Sequence, residues 1–375
     1  MISTIITFVV GLLHLATAYT TLSEASLKAI PAPGDDFDIK TGSLLAPILQ
    51  VRVPGTPGIA KVRQHFVDFF SQQLPSWTLS TQNSSQHTAL GGAPIDFVNI
   101  IATRDPPWSQ PGEVGRLTLV AHYDSKLTPE GFIGATDSAA PCAMLLHAAK
   151  VLDEALTRKW ENMQANGETD GLEGEKGIQI LLLDGEEAFV SWSDRDSLYG
   201  ARALAEAWEQ SLNPAMSTYR TPLHEIDLFV LLDLLGSANP RMPSYFKTTH
   251  WAYKHMADLE SRLRAANLFK SSGNAWFTDA NKNPDIGPFM GGMVQDDHLP
   301  FMARGVEVLH LIPSPFPSVW HTEHDDGEHL DIKTTEDWAV LTAAFAAEWM
   351  DLEGFMVPPK QSLDRRKLEE RTELF

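Results

Sequence analysis

The stretch GIQILLLDGEEAFVSW, from Gly177 to Trp192, decides the fold class of this chain. Its first half, Ile178 to Leu183, is a short continuous apolar run, which is typical of a strand buried on both faces in the middle of a parallel sheet. Three carboxylates follow at once, at Asp184, Glu186 and Glu187. Ligands bind at the carboxyl ends of such strands, so these acids predict a functional site. The alternative is the acidic first turn of a helix.

The composition is that of an acidic globular protein. The chain has 375 residues, of which 43% are hydrophobic and 21% are charged, and this fits one large α/β domain or two smaller ones. A formal net charge of −20 argues against nucleic acid or an anionic membrane as a partner. The single cysteine, Cys142, excludes an intrachain disulfide and a thiolate metal site. Its apolar neighbours favour a buried, inert thiol.

The two ends of the chain differ from its middle. Residues 1–18 have a short apolar core and end in small residues, as a cleaved secretory signal peptide does; an uncleaved anchor is the alternative. A secreted protein would use the glycosylation sequon that begins at Asn83. Pro and Gly breakers predict an irregular N-terminal wrap over residues 19–57, followed by a single catalytic α/β domain over 58–357 and a charged tail over 358–375.

Hydrophobic periodicity divides the domain into alternating strands and helices. The predicted strands are 95–103, 116–121, 178–183, 226–232 and 306–312, and the predicted helices are 58–74, 138–156, 196–210, 251–266 and 336–352. The polar, glycine-containing segment 157–176 is predicted to be a solvated loop. This alternation predicts a three-layer α/β/α sandwich around a central mixed, mostly parallel sheet.

Polar clusters follow several of these strands at the same sheet edge. They include His122 and Asp124, Asp137, the pair Glu186 and Glu187, Asp233, and His321. An edge that offers imidazole nitrogen and carboxylate oxygen suits zinc, which in catalytic sites keeps three protein ligands and one open position. Each residue alone has an ordinary explanation, since His122 could be a core histidine and Asp137 a helix N-cap. We expect none of His298, His324 and His329 to be a ligand.

These motifs resemble those of the glutaminyl-peptide cyclotransferases, the glutaminyl cyclases. The resemblance lies in HYDS at 122–125, GATDSAAPCAM at 134–144, LLDGEEAFVSWSDRDSLYG at 182–200, LLDLLGSANP at 231–240, QDDHLPF at 295–301 and HLIPSPFPSVWHT at 310–322. It extends from about residue 40 to residue 352. The wider relatives are zinc aminopeptidases of the M28 type, which have the same α/β fold and hold two metal ions.

The resemblance implies one Zn²⁺ per chain, bound by Asp137, Glu187 and His321. It makes Glu186 the general acid and base, and it makes Asp233 and Asp296 a hydrogen-bonded acid pair beside the substrate. The residues that would line the pocket for the glutaminyl side chain are Trp192, Trp320, Gln295 and Phe316.

The resemblance also implies an activity, which is that of an aminoacyltransferase that cyclises N-terminal glutamine to pyroglutamate and releases ammonia. The α-amine must lose a proton and the departing ammonia must gain one, a two-stage role that suits Glu186. We expect a secreted, monomeric glycoprotein that binds peptides or proteins with N-terminal glutamine, and neither nucleic acid nor, after signal cleavage, membrane. The main alternative is a zinc aminopeptidase, because His122 and Asp233 could hold a second metal. A catalytically dead binding protein of the same fold is a further alternative.

Overall fold

A six-stranded sheet forms the centre of the protein in the computed structural model, which describes residues 20–170, 175–289 and 294–356. The strands are β1 Thr78–Gln86, β2 Ile95–Arg104, β3 Gly115–His122, β4 Lys176–Leu183, β5 Ile226–Leu232 and β6 Val308–Leu311. They lie in the order β1-β2-β4-β3-β5-β6. Strands β4, β3, β5 and β6 are parallel, whereas β2 pairs antiparallel with both β1 and β4. The predicted mixed, mostly parallel sheet is confirmed.

The apolar sequence of β4 explains its place inside the sheet. All its residues from Gly177 to Leu183 are buried. Successive side chains of a strand point to opposite faces, and accordingly Ile180 packs in one apolar cluster while Leu181 packs in another. A strand that is apolar on both faces needs a helical layer on each side, and the structure provides both layers.

Seven helices surround the sheet in the described part of the chain. They are α1 Glu24–Lys28, α2 Pro57–Asp68, α3 Ala140–Asn166, α4 Tyr199–Gln210, α5 His250–Ala265, α6 Leu299–Met302 and α7 Ile332–Trp349. Helices α2, α3, α5 and α7 contribute to the larger apolar cluster on one face of the sheet. Helices α4 and α6 contribute to the smaller cluster on the other face. The three-layer α/β/α arrangement is therefore the one that the sequence predicts.

Besides the short helices α1 and α6, which were not predicted, two longer elements differ from the sequence prediction. Strand β1, with the polar sequence TLSTQNSSQ, was not predicted; it is an edge strand that pairs with β2 alone, so it needs no apolar face of its own. Helix α3 continues to Asn166, so the predicted loop over 157–176 is wrong in its first half. Trp160 and Met163 extend the buried face of α3 there, while Glu161 and Asn162 between them are exposed.

The acids after β4 do not begin a helix. The chain from Asp184 to Leu198 forms a loop, and α4 starts only at Tyr199. The helix-start alternative for these carboxylates is therefore wrong.

The segment before α2 has little regular structure, yet it packs into the main core. Besides α1 it contains one 3₁₀ turn, Gly34–Phe37. Its buried apolar side chains include Leu22, Leu27, Ile30, Phe37, Leu44, Leu45 and Ile48. The Leu22 amide donates to Glu348 Oε1 of α7 at 2.7 Å, and His147 Nε2 of α3 lies 3.0 Å from the carbonyl oxygen of Pro31. The segment is thus part of the same folded unit as the sheet.

Several predictions about export concern residues outside this description. The predicted signal peptide at 1–18 and the charged tail at 358–375 lie outside the described residues. In the described ranges no helix is both long enough and apolar enough to cross a membrane. Asn83, the predicted glycosylation site, lies exposed on edge strand β1, and its modification stays a prediction.

Stability should depend on pH through His147, on which the N-terminal segment packs. Burial lowers the pKa of His147 from 6.5 to about 4, so the folded protein keeps the ring neutral where the unfolded chain binds a proton. The unfolded state then binds more protons between these two pKa values, and stability must fall as the pH falls through that window. The contribution lost by pH 4.5 is on the order of 2 kcal/mol.

Urea unfolding of the unmodified protein and of His147→Gln, at about pH 7 and pH 4.5, measures this contribution. Glutamine still donates a hydrogen bond to a carbonyl but does not titrate. The variant should therefore lose less stability between the two pH values than the unmodified protein does. Equal losses in both proteins would contradict the assignment to His147.

Candidate metal centre and pocket

Three side chains from separate loops converge at the carboxyl edge of the parallel strands. Asp137 lies in the turn that precedes α3, Glu187 in the loop after β4, and His321 in the loop after β6. His321 Nε2 lies 3.5 Å from Asp137 Oδ2 and 3.7 Å from Glu187 Oε1. The structure thus brings together the three residues that the family resemblance implies as zinc ligands.

The atoms that face this point are suited to a cation. Asp137 Oδ2 and Glu187 Oε1 are buried and have no hydrogen-bond partner among the described residues. Their companion oxygens are occupied, since Asp137 Oδ1 lies 3.0 Å from His122 Nε2 and Glu187 Oε2 accepts from Lys126 Nζ at 3.2 Å. Buried carboxylate oxygens are seldom left without a partner. Two such oxygens beside one imidazole nitrogen fit the three protein ligands of a catalytic zinc.

The protonation state of His321 also fits a metal ligand. Its ring stacks on Trp320 with centroids 3.9 Å apart and meets the edge of Phe132. Burial lowers the pKa of His321. A lower pKa favours the neutral ring, which is the form that binds a metal.

Asp137 sits in a tight turn and not at a helix cap. Helix α3 begins at Ala140, and its N-cap residue forms no side-chain capping bond, so the N-cap alternative for Asp137 is wrong. Gly134 adopts φ 63°, and a β-carbon added there would lie 2.1 Å from the main-chain oxygen of Asp137. Only glycine fits a turn this close.

His122 links three carboxylates below the convergence point. It is fully buried, and its ring nitrogens lie 3.3 Å from Asp124 Oδ1, 3.0 Å from Asp137 Oδ1 and 3.4 Å from Asp233 Oδ1. Burial opposes a charge on the ring, but hydrogen bonds to these carboxylates raise the pKa of His122 well above its ordinary value. His122 is therefore not an isolated core histidine, because it contacts three buried carboxylates of the site.

Asp124 positions the acids that follow β4. Its two carboxylate oxygens accept from the main-chain amides of Glu186, at 3.0 Å, and Glu187, at 3.1 Å. Asp184, by contrast, turns away and accepts from the Val98 amide at 2.9 Å. Of the three acids after β4, only Glu186 and Glu187 therefore reach the site.

A cavity of about 480 Å³ opens above the convergence point. The predicted site residues that line it are Asp137, Glu186, Trp192, Asp233, Gln295, Phe316, Trp320 and His321. Trp192 Nε1 donates to Gln295 Oε1 at 2.7 Å, and Phe316 packs edge-on against Trp320 with centroids 4.8 Å apart. Trp192 and Trp320 are each 38% exposed, so the cavity has aromatic walls and an open mouth.

The carboxyl groups of this site differ in proton affinity. Burial and the nearby charge of Glu187 raise the pKa of Glu186 well above its usual value, although His122 acts in the opposite direction. Burial and the charge of Asp233 likewise raise the pKa of Asp296. Burial of Asp233 itself is outweighed by hydrogen bonds from His122 and Ser138, and its pKa is lowered.

Asp296 lies behind the cavity wall, and its partner was missed by the sequence analysis. His310 Nε2 lies 2.7 Å from Asp296 Oδ2. A histidine in β6, whose four residues are all buried, was the available signal. His298 lies beside His310 with ring centroids 4.5 Å apart, while His324 and His329 are exposed. Lys126, which bonds Glu187 and lines the cavity, was also missed.

Known proteins share this arrangement of motifs over most of the chain. Residues 99–346 match the sequence model of Peptidase family M28. The chain is 40% identical over 335 residues to the glutaminyl-peptide cyclotransferase-like protein of Mus musculus. This match covers 88% of this chain and 80% of that protein. It is 37% identical over 336 residues to the glutaminyl-peptide cyclotransferase of Bos taurus, with 88% and 87% covered.

A solved structure agrees with these sequence matches. The crystal structure of the Macrostomum lignano glutaminyl cyclase has a TM-score of 0.73 to this structure at 32% sequence identity. The match covers 89% of this chain and 94% of that one. The chain therefore belongs to the glutaminyl-peptide cyclotransferase family of enzymes, within Peptidase family M28.

Proposed function

We propose that this protein is a zinc-dependent glutaminyl-peptide cyclotransferase, which converts N-terminal glutamine of peptides and proteins to pyroglutamate and releases ammonia. One observation carries the proposal: the unpartnered oxygens of Asp137 and Glu187 face His321 at the base of an aromatic-walled cavity that also holds Glu186. The names of the Mus musculus and Bos taurus relatives support the reaction class.

Asp137, Glu187 and His321 would hold the zinc ion, which leaves one coordination position for substrate. Bound zinc would supply Lewis-acid polarisation of the side-chain amide of the substrate glutamine. Lys126 holds the second oxygen of Glu187, and His122 that of Asp137, so both carboxylates keep one oxygen directed at the metal position. Such outer contacts orient metal ligands.

Glu186 would move the proton that the reaction requires. The α-amine nitrogen forms a bond to the side-chain amide carbon, and the bond from that carbon to the amide nitrogen breaks. The attacking amine must give up a proton, and the departing nitrogen must gain one to leave as ammonia. A carboxyl group with a raised pKa can accept the first proton and return it in the second step.

The carboxyl groups of Asp233 and Asp296, next to Glu186, have pKa values shifted in opposite directions. The pKa of Asp233 is lowered and that of Asp296 is raised, which favours the ionised form of Asp233 and the protonated form of Asp296. Asp233 lines the cavity and would bind the cationic amine of the incoming peptide. The proton on Asp296 would serve the hydrogen bond between the two acids that the family resemblance implies.

The aromatic walls would hold the substrate in a curled conformation. Trp192, Phe316 and Trp320 enclose a volume suited to one flat glutaminyl side chain, and the rest of the peptide would leave through the open mouth. Fixing a flexible side chain in a reactive geometry is itself a large source of rate.

One observation keeps a zinc aminopeptidase as the second candidate. His122, Asp137 and Asp233 also offer ligand atoms within 4.8 Å of one another, as a second metal would require. Against it, His122 Nε2 lies 3.0 Å from Asp137 Oδ1, within hydrogen-bond distance, whereas the oxygens that face His321 have no hydrogen-bond partner among the described residues. The names of the Mus musculus and Bos taurus relatives also favour the cyclotransferase.

The reaction is tested by incubating the purified protein with a glutamine-initiated peptide, with and without a chelator. We expect the peptide mass to fall by about 17 units, the mass of one ammonia, because a metal-assisted step expels the amide nitrogen. Chelator should stop the change and added Zn²⁺ should restore it. Release of free glutamine, with two zinc ions per chain, would identify the aminopeptidase instead.

Replacing Glu186 with Gln should lower kcat by about 10²-fold or more, because glutamine has no titrating proton. Zinc content should stay at one ion per chain, since Glu186 is not among the three ligands. Glu206→Gln on the exposed face of α4 is the matched control and should leave kcat unchanged. Steady-state kinetics and metal analysis measure both quantities; undiminished turnover by the Glu186 variant would exclude its assigned role.

Replacing His321 with Ala should remove zinc and activity together, because it deletes one of three ligands. His324→Ala is the control, since that histidine lies exposed in the same loop. Metal analysis after gel filtration distinguishes the two variants. A His321→Ala protein that retains a full zinc complement would show that the metal is held elsewhere.

A further inference from the structure

We propose that Arg52 and Asp325 are positioning residues that hold the turn carrying Asp137 from two sides and thereby set the affinity of the metal site. This inference rests on the proposed metal-dependent function. Neither side chain lines the cavity. Arg52 also lies outside residues 99–346, the part of the chain that matches the family model.

Arg52 holds the carbonyl groups of this turn. It is fully buried, and all five of its side-chain N–H groups donate to main-chain carbonyl oxygens. The acceptors are Tyr123 at 2.8 Å, Gln50 at 3.4 Å, Ile133, Gly134 at 2.9 Å and Asp137 at 3.4 Å. The guanidinium therefore joins the turn at 133–137 to the chain that follows β3.

Asp325 holds the amide groups of the same turn. It is buried, its Oδ1 accepts from the Thr136 amide at 2.7 Å, and its Oδ2 accepts from Thr136 Oγ1 at 3.0 Å. Its main-chain oxygen accepts from the Ala135 amide at 2.9 Å. Because Asp325 lies four residues after His321 in the same loop, it joins the loops of two metal ligands.

The two residues bond to different backbone groups of one short segment, Arg52 to its carbonyl oxygens and Asp325 to its amides. Arg52 donates hydrogen bonds to the carbonyl oxygens of residues 133, 134 and 137. Asp325 accepts hydrogen bonds from the amides of residues 135 and 136. The main chain at Asp137 is thus fixed on both sides, and its Oδ2 remains directed at His321. Contacts outside the ligand sphere typically change metal affinity by about 10- to 100-fold when they are lost.

The decisive variant is Arg52→Lys, because lysine keeps the charge but has three donors on a single nitrogen and cannot span five carbonyls. We expect its zinc Kd, measured by competition with a chromophoric chelator, to rise by about 10- to 100-fold. Asp325→Asn provides an independent arm. It preserves size but replaces one acceptor oxygen with a donor, and its Kd should rise by about 10-fold.

Two matched controls separate positioning of the metal site from a general loss of stability. Arg104→Lys alters another buried arginine, which bonds Asp153 and Thr157 of α3. Asp337→Asn alters another buried aspartate, which accepts from two main-chain amides at 2.8 Å. Thermal unfolding of the metal-free proteins would show comparable destabilisation in all four variants, whereas both controls should keep the zinc Kd within about twofold.

Cobalt(II) substitution gives a second readout, because its visible absorption reports ligand geometry directly. The spectrum should change in Arg52→Lys and Asp325→Asn and stay unchanged in both controls. The inference would be overturned if the folded variants at positions 52 and 325 kept an unaltered zinc Kd and cobalt spectrum. If Arg52→Lys does not fold, the result for Asp325→Asn decides. Failure of the unmodified protein to bind zinc would instead refute the proposed function, on which the inference depends.

Discussion

The structure depends on how it neutralises a group of carboxylates that it buries at one edge of the sheet. The group comprises Asp124, Asp137, Glu186, Glu187, Asp233 and Asp296. Buried carboxylates are costly unless they are paired, protonated or bound to metal. His122 and Lys126 each pair with members of the group, and burial raises the pKa values of Glu186 and Asp296, which lowers the cost of burying these two carboxyl groups. Within this group, two buried oxygens have no hydrogen-bond partner among the described residues, Asp137 Oδ2 and Glu187 Oε1, and both face His321.

The fold makes this concentration of charge possible. Strands β3, β4 and β5 are parallel, so the loops that follow them leave the sheet at one edge. The main-chain amides of those loops supply hydrogen bonds, for example from Glu186 and Glu187 to Asp124 and from Leu234 to Asp233. The apolar layers on both faces of the sheet exclude water from below, and the same layers bury β4. The two apolar layers therefore account both for the burial of β4 and for the burial of the site at its end.

The connection between a buried apolar strand and the acids at its carboxyl end explains which features were predictable from the sequence. An apolar run followed at once by acids identifies both a central strand and its functional end, and for this reason β4, Glu186 and Glu187 were found. Strand β1 carries no such signal, since an edge strand with a polar sequence resembles a loop. Arg52 was missed because its carbonyl partners in the turn lie more than 80 residues away, and no local pattern reports such a contact. Asp184 was grouped with the site because sequence adjacency does not show which way a loop turns.

The proposed cyclisation and peptide hydrolysis differ in what they require of a metal ion. A second ion would need a lone pair from His122, whose Nδ1 lies 3.3 Å from Asp124 and whose Nε2 lies 3.0 Å from Asp137 and 3.4 Å from Asp233. Cyclisation uses the substrate's own amine as nucleophile, so no metal-bound water has to be activated. The proposed reaction would therefore need no more than the one ion that Asp137, Glu187 and His321 would hold.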